Sequence, residues 1–116
     1  MSALSIVGPQ ARCREVMQAA VAAFPEGKRP PVQVNGQGNP YVTFGGEDVW
    51  CCPWNATMDK QTPGVDYCIG DTHNARHNVL AKDFDKAVER VRDVFRIVLR
   101  RKELELKNLT ELSAHL

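Results

Sequence analysis

Residues 83–116 decide the fold, and they read DFDKAVERVRDVFRIVLRRKELELKNLTELSAHL. Asp83 is a typical N-cap residue, and Asp85 places a negative charge in the first turn, where the helix dipole favours it. Ala87 and Val94 widen an apolar face that the helical repeat predicts. The residues of that face step by four and three: Phe84, Val88, Val91, Phe95 and Val98. The pattern predicts a long amphipathic helix packed on a core.

The apolar pattern is interrupted at Lys102 and resumes at Leu106, so the helix either continues to about Ala114 or kinks near Arg101. A continuous helix over 83–114 would be about 48 Å long at roughly 1.5 Å per residue. That length exceeds the width of a domain of this size, so we expect the end to protrude. Its apolar side chains, which typically meet another chain, are Leu104, Leu106, Leu109, Leu112 and Leu116.

The residues before this helix are punctuated by turn formers, because all eight glycines and all seven prolines lie at or before Gly70. Spacings of three and four predict a first helix over 10–24, after Pro9. The alternating stretches 32–34, 41–44, 49–52 and 65–69 predict strands, a turn over 35–40 joins the first two, and 76–81 is a further strand or the start of a helix.

This element order predicts an α+β domain, with an N-terminal helix, an antiparallel sheet of three to five strands and a long C-terminal helix packed on one face. We expect one domain over 1–116, in which 1–82 form the helix and sheet and 83–116 the last helix. The order resembles that of double-stranded-RNA-binding domains. Residues 78–87 lack the run of lysines that this family uses against phosphate, so its function is not carried over.

Composition narrows the class of protein. The chain has 116 residues, 43 % hydrophobic and 25 % charged, with a formal net charge of +1. These values are typical of a globular domain and exclude a histone-like role. No apolar run approaches the roughly 20 residues of a membrane span, and residues 1–8 lack the features of a signal peptide. We therefore expect no membrane partner and a cytoplasmic location.

Cysteines and histidines offer the best candidate for a specific site. Cys51 or Cys52 could join Cys68, His73 and His77 around a zinc ion, the cofactor that these residue types suggest. The Cys-x-x-Cys pairs that seed most structural zinc sites are absent, and adjacent cysteines point to opposite faces of a strand. We therefore favour no cofactor, with the cysteines as small core residues and the histidines at the surface.

Enzyme motifs are missing. The glycines of 35–39 and the pair Gly45-Gly46 lack the sequence that follows them in a phosphate-binding loop. Glu47 and Asp48 are expected on opposite faces of a strand, where they keep a turn and an edge soluble. These features predict a protein that is not an enzyme.

Charge is distributed unevenly along the chain. Residues 86–102 contain seven basic and two acidic side chains, whereas 47–71 contain five acids and Lys60. Arg92, Arg96 and Arg100 form a row beside the apolar face of the predicted helix. Such a row suits an acidic protein groove or a phosphate backbone, or it is a solvated face. Replacing all three arginines is expected to have little effect on folding.

The leading hypothesis is a binding module whose last helix docks on a protein or nucleoprotein partner, with a homodimer as the simplest assembly. The profile is similar to that of small phage accessory proteins, including inhibitors of bacterial defence such as anti-CRISPR proteins. The alternative is a nucleic-acid-binding domain that uses the arginine row with Trp50 or Tyr41, with or without zinc.

Overall fold

The computed structural model describes residues 9–53, 67–73 and 79–116. Helix α1 (Pro9–Val21) and a short 3-10 turn (Glu26–Lys28) precede five strands, and helix α2 (Phe84–Ser113) follows them. The strands are β1 (Gln33–Val34), β2 (Pro40–Phe44), β3 (Glu47–Pro53), β4 (Tyr67–Asp71) and β5 (Val79–Ala81). They form an antiparallel sheet in chain order, with α2 packed against it, which confirms the predicted α+β fold.

Helix α1 packs through the face that the sequence predicts. Cys13, Val16, Met17 and Ala20 have no solvent exposure. The helix ends at Val21, before the predicted end at Phe24. The Phe24 ring instead lies against those of Phe44 and Phe95, with centroid distances of 6.0 and 5.7 Å. These rings close the core where α1 ends.

Two turns position the first three strands. The side chain of Asn35 accepts hydrogen bonds from the backbone N–H groups of Gln37 and Asn39, which closes the predicted turn between β1 and β2. Gly45 and Gly46 form the turn between β2 and β3 with φ angles of 55° and 87°. Left-handed backbone favours glycine, so this pair permits a tight hairpin in which Phe44 faces Glu47.

The sheet has two chemically different faces. Val42, Val49, Cys51 and Ile69 are fully buried and belong to the same core cluster as α1 and α2. Strand alternation places a second set on the opposite face. Its members, in register across β2 to β5, are Tyr41, Trp50, Cys52, Cys68 and Leu80.

Helix α2 is continuous through Arg101 for 30 residues. Its predicted core face is buried, apart from Phe84, which is 39 % exposed because it lies in the first turn. Asp83 occupies the predicted N-cap position, and its carbonyl oxygen accepts a hydrogen bond from Ala87. Its side chain makes no capping hydrogen bond.

Several predicted segments lie outside the described residues: the loop 54–64, the beginnings of the last two strands and His77. Across residues 9–53, 67–73 and 79–116, neither helix combines the length and the apolar character needed to cross a membrane.

Candidate functional site

The end of α2 projects beyond the rest of the molecule. We call residues 103–116 the α2 extension, and each of them is exposed. The molecule measures 63 × 31 × 25 Å, and a helix of 30 residues is about 45 Å long. The helix is therefore longer than either of the two smaller dimensions of the molecule.

The leucines of the α2 extension repeat the pattern of the buried part of the helix. Three of them follow a buried valine at an interval that corresponds to about five full helical turns, so each lies on the same side of α2 as its valine. The three pairs are Val88 and Leu106, Val91 and Leu109, and Val94 and Leu112. The valines are 8, 0 and 5 % exposed, whereas the leucines are 66, 63 and 64 % exposed.

Leu106, Leu109 and Leu112 therefore form one strip that continues the core-facing side of α2; we call it the leucine strip. Leu104, which we also predicted to bind a partner, does not belong to it. By the same five-turn interval Leu104 corresponds to Lys86, on the solvent side of the helix, and it is 52 % exposed. The four leucines predicted to bind a partner thus occupy two sides of the helix. Leu116 follows the end of α2 at Ser113 and is exposed.

A charged cluster fixes α2 at the point where the extension begins. We call Glu47, Asp71, His73, Arg101 and Lys102 the Glu47 cluster. Arg101 donates a hydrogen bond from Nη1 to Oε1 of Glu47, and Lys102 Nζ lies 3.0 Å from Oε2. Arg101 Nη1 is also 3.5 Å from Oδ1 of Asp71. The first residue of β3 is thereby joined to α2.

The surroundings of Glu47 favour its ionised form. Burial acts to raise the pKa of its carboxyl group, but the hydrogen bonds and charges of Lys102 and Arg101 outweigh burial and lower the pKa below its usual value. The same carboxylate raises the pKa of Lys102, and it raises that of Arg101 against the effect of burial. His73 completes the surroundings, with Nε2 3.5 Å from Oε1 of Glu47.

The solvent-exposed role that we predicted for Glu47 is wrong, because Glu47 is 2 % exposed. Asp48 points to the other side of the strand as predicted, and its Oδ1 accepts a 2.7 Å hydrogen bond from Thr43. The uneven distribution of charge along the sequence did indicate this contact. An acidic segment and a basic segment of one chain attract each other, and the Glu47 cluster is where they meet.

The arginine row is divided by the fold. Arg92 donates a 2.9 Å hydrogen bond from Nη2 to the carbonyl oxygen of Ala19 at the end of α1, so it is engaged within the chain. Arg96 is exposed and donates to Asp93, one turn earlier on α2. Arg100 is also exposed. Two of the three predicted binding arginines therefore face solvent.

The aromatic residues do not join these arginines. Tyr41 and Trp50 are cross-strand neighbours on the sheet face opposite the helices. Arg96 and Arg100 lie on the side of α2 away from the sheet, because they fall outside its buried face. The exposed arginines and the pair of Tyr41 and Trp50 therefore lie on different faces of the molecule.

Among the described candidates for zinc ligands, the structure brings together only Cys52 and Cys68, and His77 lies outside the described residues. Cys51 is buried in the core beside Cys13, whereas Cys52 pairs with Cys68 on the opposite face. His73 lies beside Glu47 instead. Among the residues that the structure describes, no group of three or more His, Cys, Asp or Glu side chains is arranged to hold a metal ion.

Comparison with known proteins gives no relative: no protein family matches the chain, and neither a curated protein nor a solved structure is similar to it.

Proposed function

We propose that this protein is a non-enzymatic binding module that docks on another chain through the leucine strip. The observation that carries the proposal is the correspondence between three exposed leucines and three buried valines on one side of α2. In the part of α2 before Arg101, the valines are covered by α1 and the sheet. The equivalent positions of the extension need a cover from another molecule.

The helical state of the extension supports this proposal. Isolated helices shorter than about 12–15 residues are marginal in water, and most helices are stabilised by packing of one face. Every residue from 103 to 116 is exposed, so the extension has no such packing against the residues that the structure describes. A partner that buries Leu109 and Leu112 would supply the missing stabilisation, at roughly 1.5–3 kcal/mol for each fully buried leucine.

The occupant that we propose is a second copy of this chain. An interface with two-fold symmetry places the same patch on both subunits, so the patch must be complementary to itself. The leucine strip meets that condition, since an apolar strip on one helix packs against an identical strip on another. If the protein acts as a small accessory or inhibitor protein, a protein or nucleoprotein partner would bind to the same strip in place of the second copy.

The test is the mass of the protein in solution as a function of concentration. Sedimentation velocity should show a monomer at low concentration and a dimer at high concentration. Replacing Leu109 and Leu112 by Glu should leave only the monomer, because it buries charge in the contact. The matched control is Leu104→Glu, a residue of the same extension outside the strip, which should dimerise like the wild type.

Two results would contradict the proposal of a second copy. One is a wild-type protein that is monomeric at every accessible concentration. The other is a Leu104→Glu variant that loses dimerisation as fully as the double variant, since the effect would then come from added charge.

A further inference from the structure

Cys52 and Cys68 form a pair of thiols in direct contact. They are register partners on β3 and β4. Directly opposite residues of antiparallel strands have Cα atoms about 4.5–5.5 Å apart, which lies within the range of about 4.4–6.8 Å that a disulfide spans. Both are free thiols in this structure. The backbone is therefore already placed for a bond between them.

The two thiols differ in how they hold a proton. The hydrogen bond from Cys68 lowers the pKa of Cys52, although burial acts in the opposite direction. The same hydrogen bond and burial raise the pKa of Cys68. Cys52 is half-buried, whereas Cys68 is only 4 % exposed. The more acidic thiol is thus the more accessible one, and the thiolate is the nucleophile.

We propose that Cys52 and Cys68 are an oxidation site that a small hydroperoxide converts into an intramolecular disulfide. The half-buried position of Cys52 selects a small oxidant, of which hydrogen peroxide is the simplest. The proposal is independent of the leucine strip.

The reaction balances in two steps. The Cys52 thiolate attacks one peroxide oxygen, the O–O bond breaks, and the products are a sulfenic acid on Cys52 and, after protonation, one water. The Cys68 sulfur then attacks the Cys52 sulfur, the S–O bond breaks, and a second water leaves with the proton of Cys68. The two thiols lose two electrons in total, and the peroxide gains them.

The other two cysteines provide an internal control. Cys13 and Cys51 also contact each other, but both have no solvent exposure, and contact with Cys13 and burial raise the pKa of Cys51. Buried thiols of this kind are inert. The chain therefore contains a reactive pair and a shielded pair, and only the first should respond to peroxide.

The experiment treats the folded protein with hydrogen peroxide, removes the peroxide with catalase, and counts thiols in denaturant. The number of free thiols should fall from four to two in wild-type protein and from three to one in Cys51→Ser. Trypsin cuts at Lys60, so the peptide that contains Cys51 and Cys52 should appear linked to the peptide that contains Cys68 and should separate from it on reduction. Fragmentation of the linked peptide between Cys51 and Cys52 in the mass spectrometer should assign the bond to Cys52. Cys52→Ser should keep its three thiols, and Cys68→Ser should form a sulfenic acid that dimedone traps on Cys52.

The proposal is overturned if wild-type protein keeps four thiols. It is also overturned if the linked peptide contains Cys13, or if Cys52→Ser loses thiols as fast as wild type. Fragmentation of the linked wild-type peptide distinguishes Cys52 from Cys51 in the unmodified chain, so it decides the question even where a variant fails to fold, which circular dichroism would reveal; a bond that maps to Cys51 would also overturn the proposal.

Discussion

Arg92 of α2 donates a hydrogen bond to the carbonyl oxygen of Ala19, 73 residues earlier, in the last turn of α1. The last four carbonyl groups of a helix have no partner within the helix, and a basic side chain can satisfy them. Arg92 Nε is also 3.5 Å from the carbonyl oxygen of Ala20. One helix therefore closes the end of the other.

Replacing Arg92 by Ala should lower the free energy of unfolding by about 1 kcal/mol, because the Ala19 carbonyl group loses its donor. Arg96→Ala is the matched control, since Arg96 is exposed, and it should change stability by no more than about 0.5 kcal/mol. Urea unfolding followed by circular dichroism measures both. Equal effects would mean that Arg92 acts only through its charge. This prediction replaces our expectation that all three arginines can be changed with little effect on folding.

Glu47→Gln should destabilise the protein by about 1–3 kcal/mol at neutral pH, because Arg101 and Lys102 lose a charged partner. Asp48→Asn, at the neighbouring and less buried position, tests whether any loss of a negative charge in this hairpin has the same result. Urea unfolding of both variants gives the comparison. A larger effect at Asp48 than at Glu47 would contradict the central role of Glu47.

The contribution of Glu47 should depend on pH. Its pKa is lowered in the folded protein, so this stability is fully present above the unfolded value of 4.5 and is lost as pH falls through the folded pKa. Thermal unfolding of wild type and Glu47→Gln should therefore differ most at neutral pH and converge well below pH 4.5. A constant difference across this range would show that the carboxylate charge is not involved.

Gly45→Ala and Gly46→Ala should each destabilise the hairpin by about 1–2 kcal/mol, because alanine is disfavoured in left-handed backbone. At Gly45 a Cβ atom would also lie 3.4 Å from Cδ and Cε of Lys102, whereas at Gly46 nothing lies within 4 Å. Gly36→Ala provides the control, since Gly36 has neither a positive φ nor a close neighbour. Thermal unfolding measures the stability of the three variants. A Gly36→Ala variant that is less stable than the other two would contradict the prediction.

A chain that ends at Lys107 should fold, because it retains the buried face of α2 and the Glu47 cluster. Its free energy of unfolding, measured on dilute protein, should lie within about 0.5 kcal/mol of the full chain. A chain that ends at Arg100 should be much less stable, since Glu47 would remain buried without Arg101 and Lys102. Equal stability of the two truncated chains would show that the Glu47 cluster contributes little.

The sequence was sufficient to predict the helices and strands, but it was insufficient to predict the charged contacts between them. The helical repeat of apolar residues identifies α2, because Val88, Val91 and Val98 pack through one face of the helix. The alternation of residues identifies the strands, because one face of each strand is buried as well. The pairing of Glu47 with Arg101 joins residues 54 apart, and no local pattern encodes such a distance. Likewise, alternation shows that Cys51 and Cys52 face apart, but only the register of β3 and β4 shows that Cys52 meets Cys68.

The edge strands bear on how copies of this chain can associate. β1 has two residues, β5 has three within the described part of the chain, and each forms one edge of the sheet. Strands this short expose few unpaired N–H and C=O groups, which is one way in which proteins prevent the addition of strands from other chains. Backbone-mediated growth of the sheet is therefore disfavoured at the β1 edge, so we expect association to depend on side chains and to stop once the apolar ones are covered. An assembly built in this way is finite in size, in contrast to a fibre.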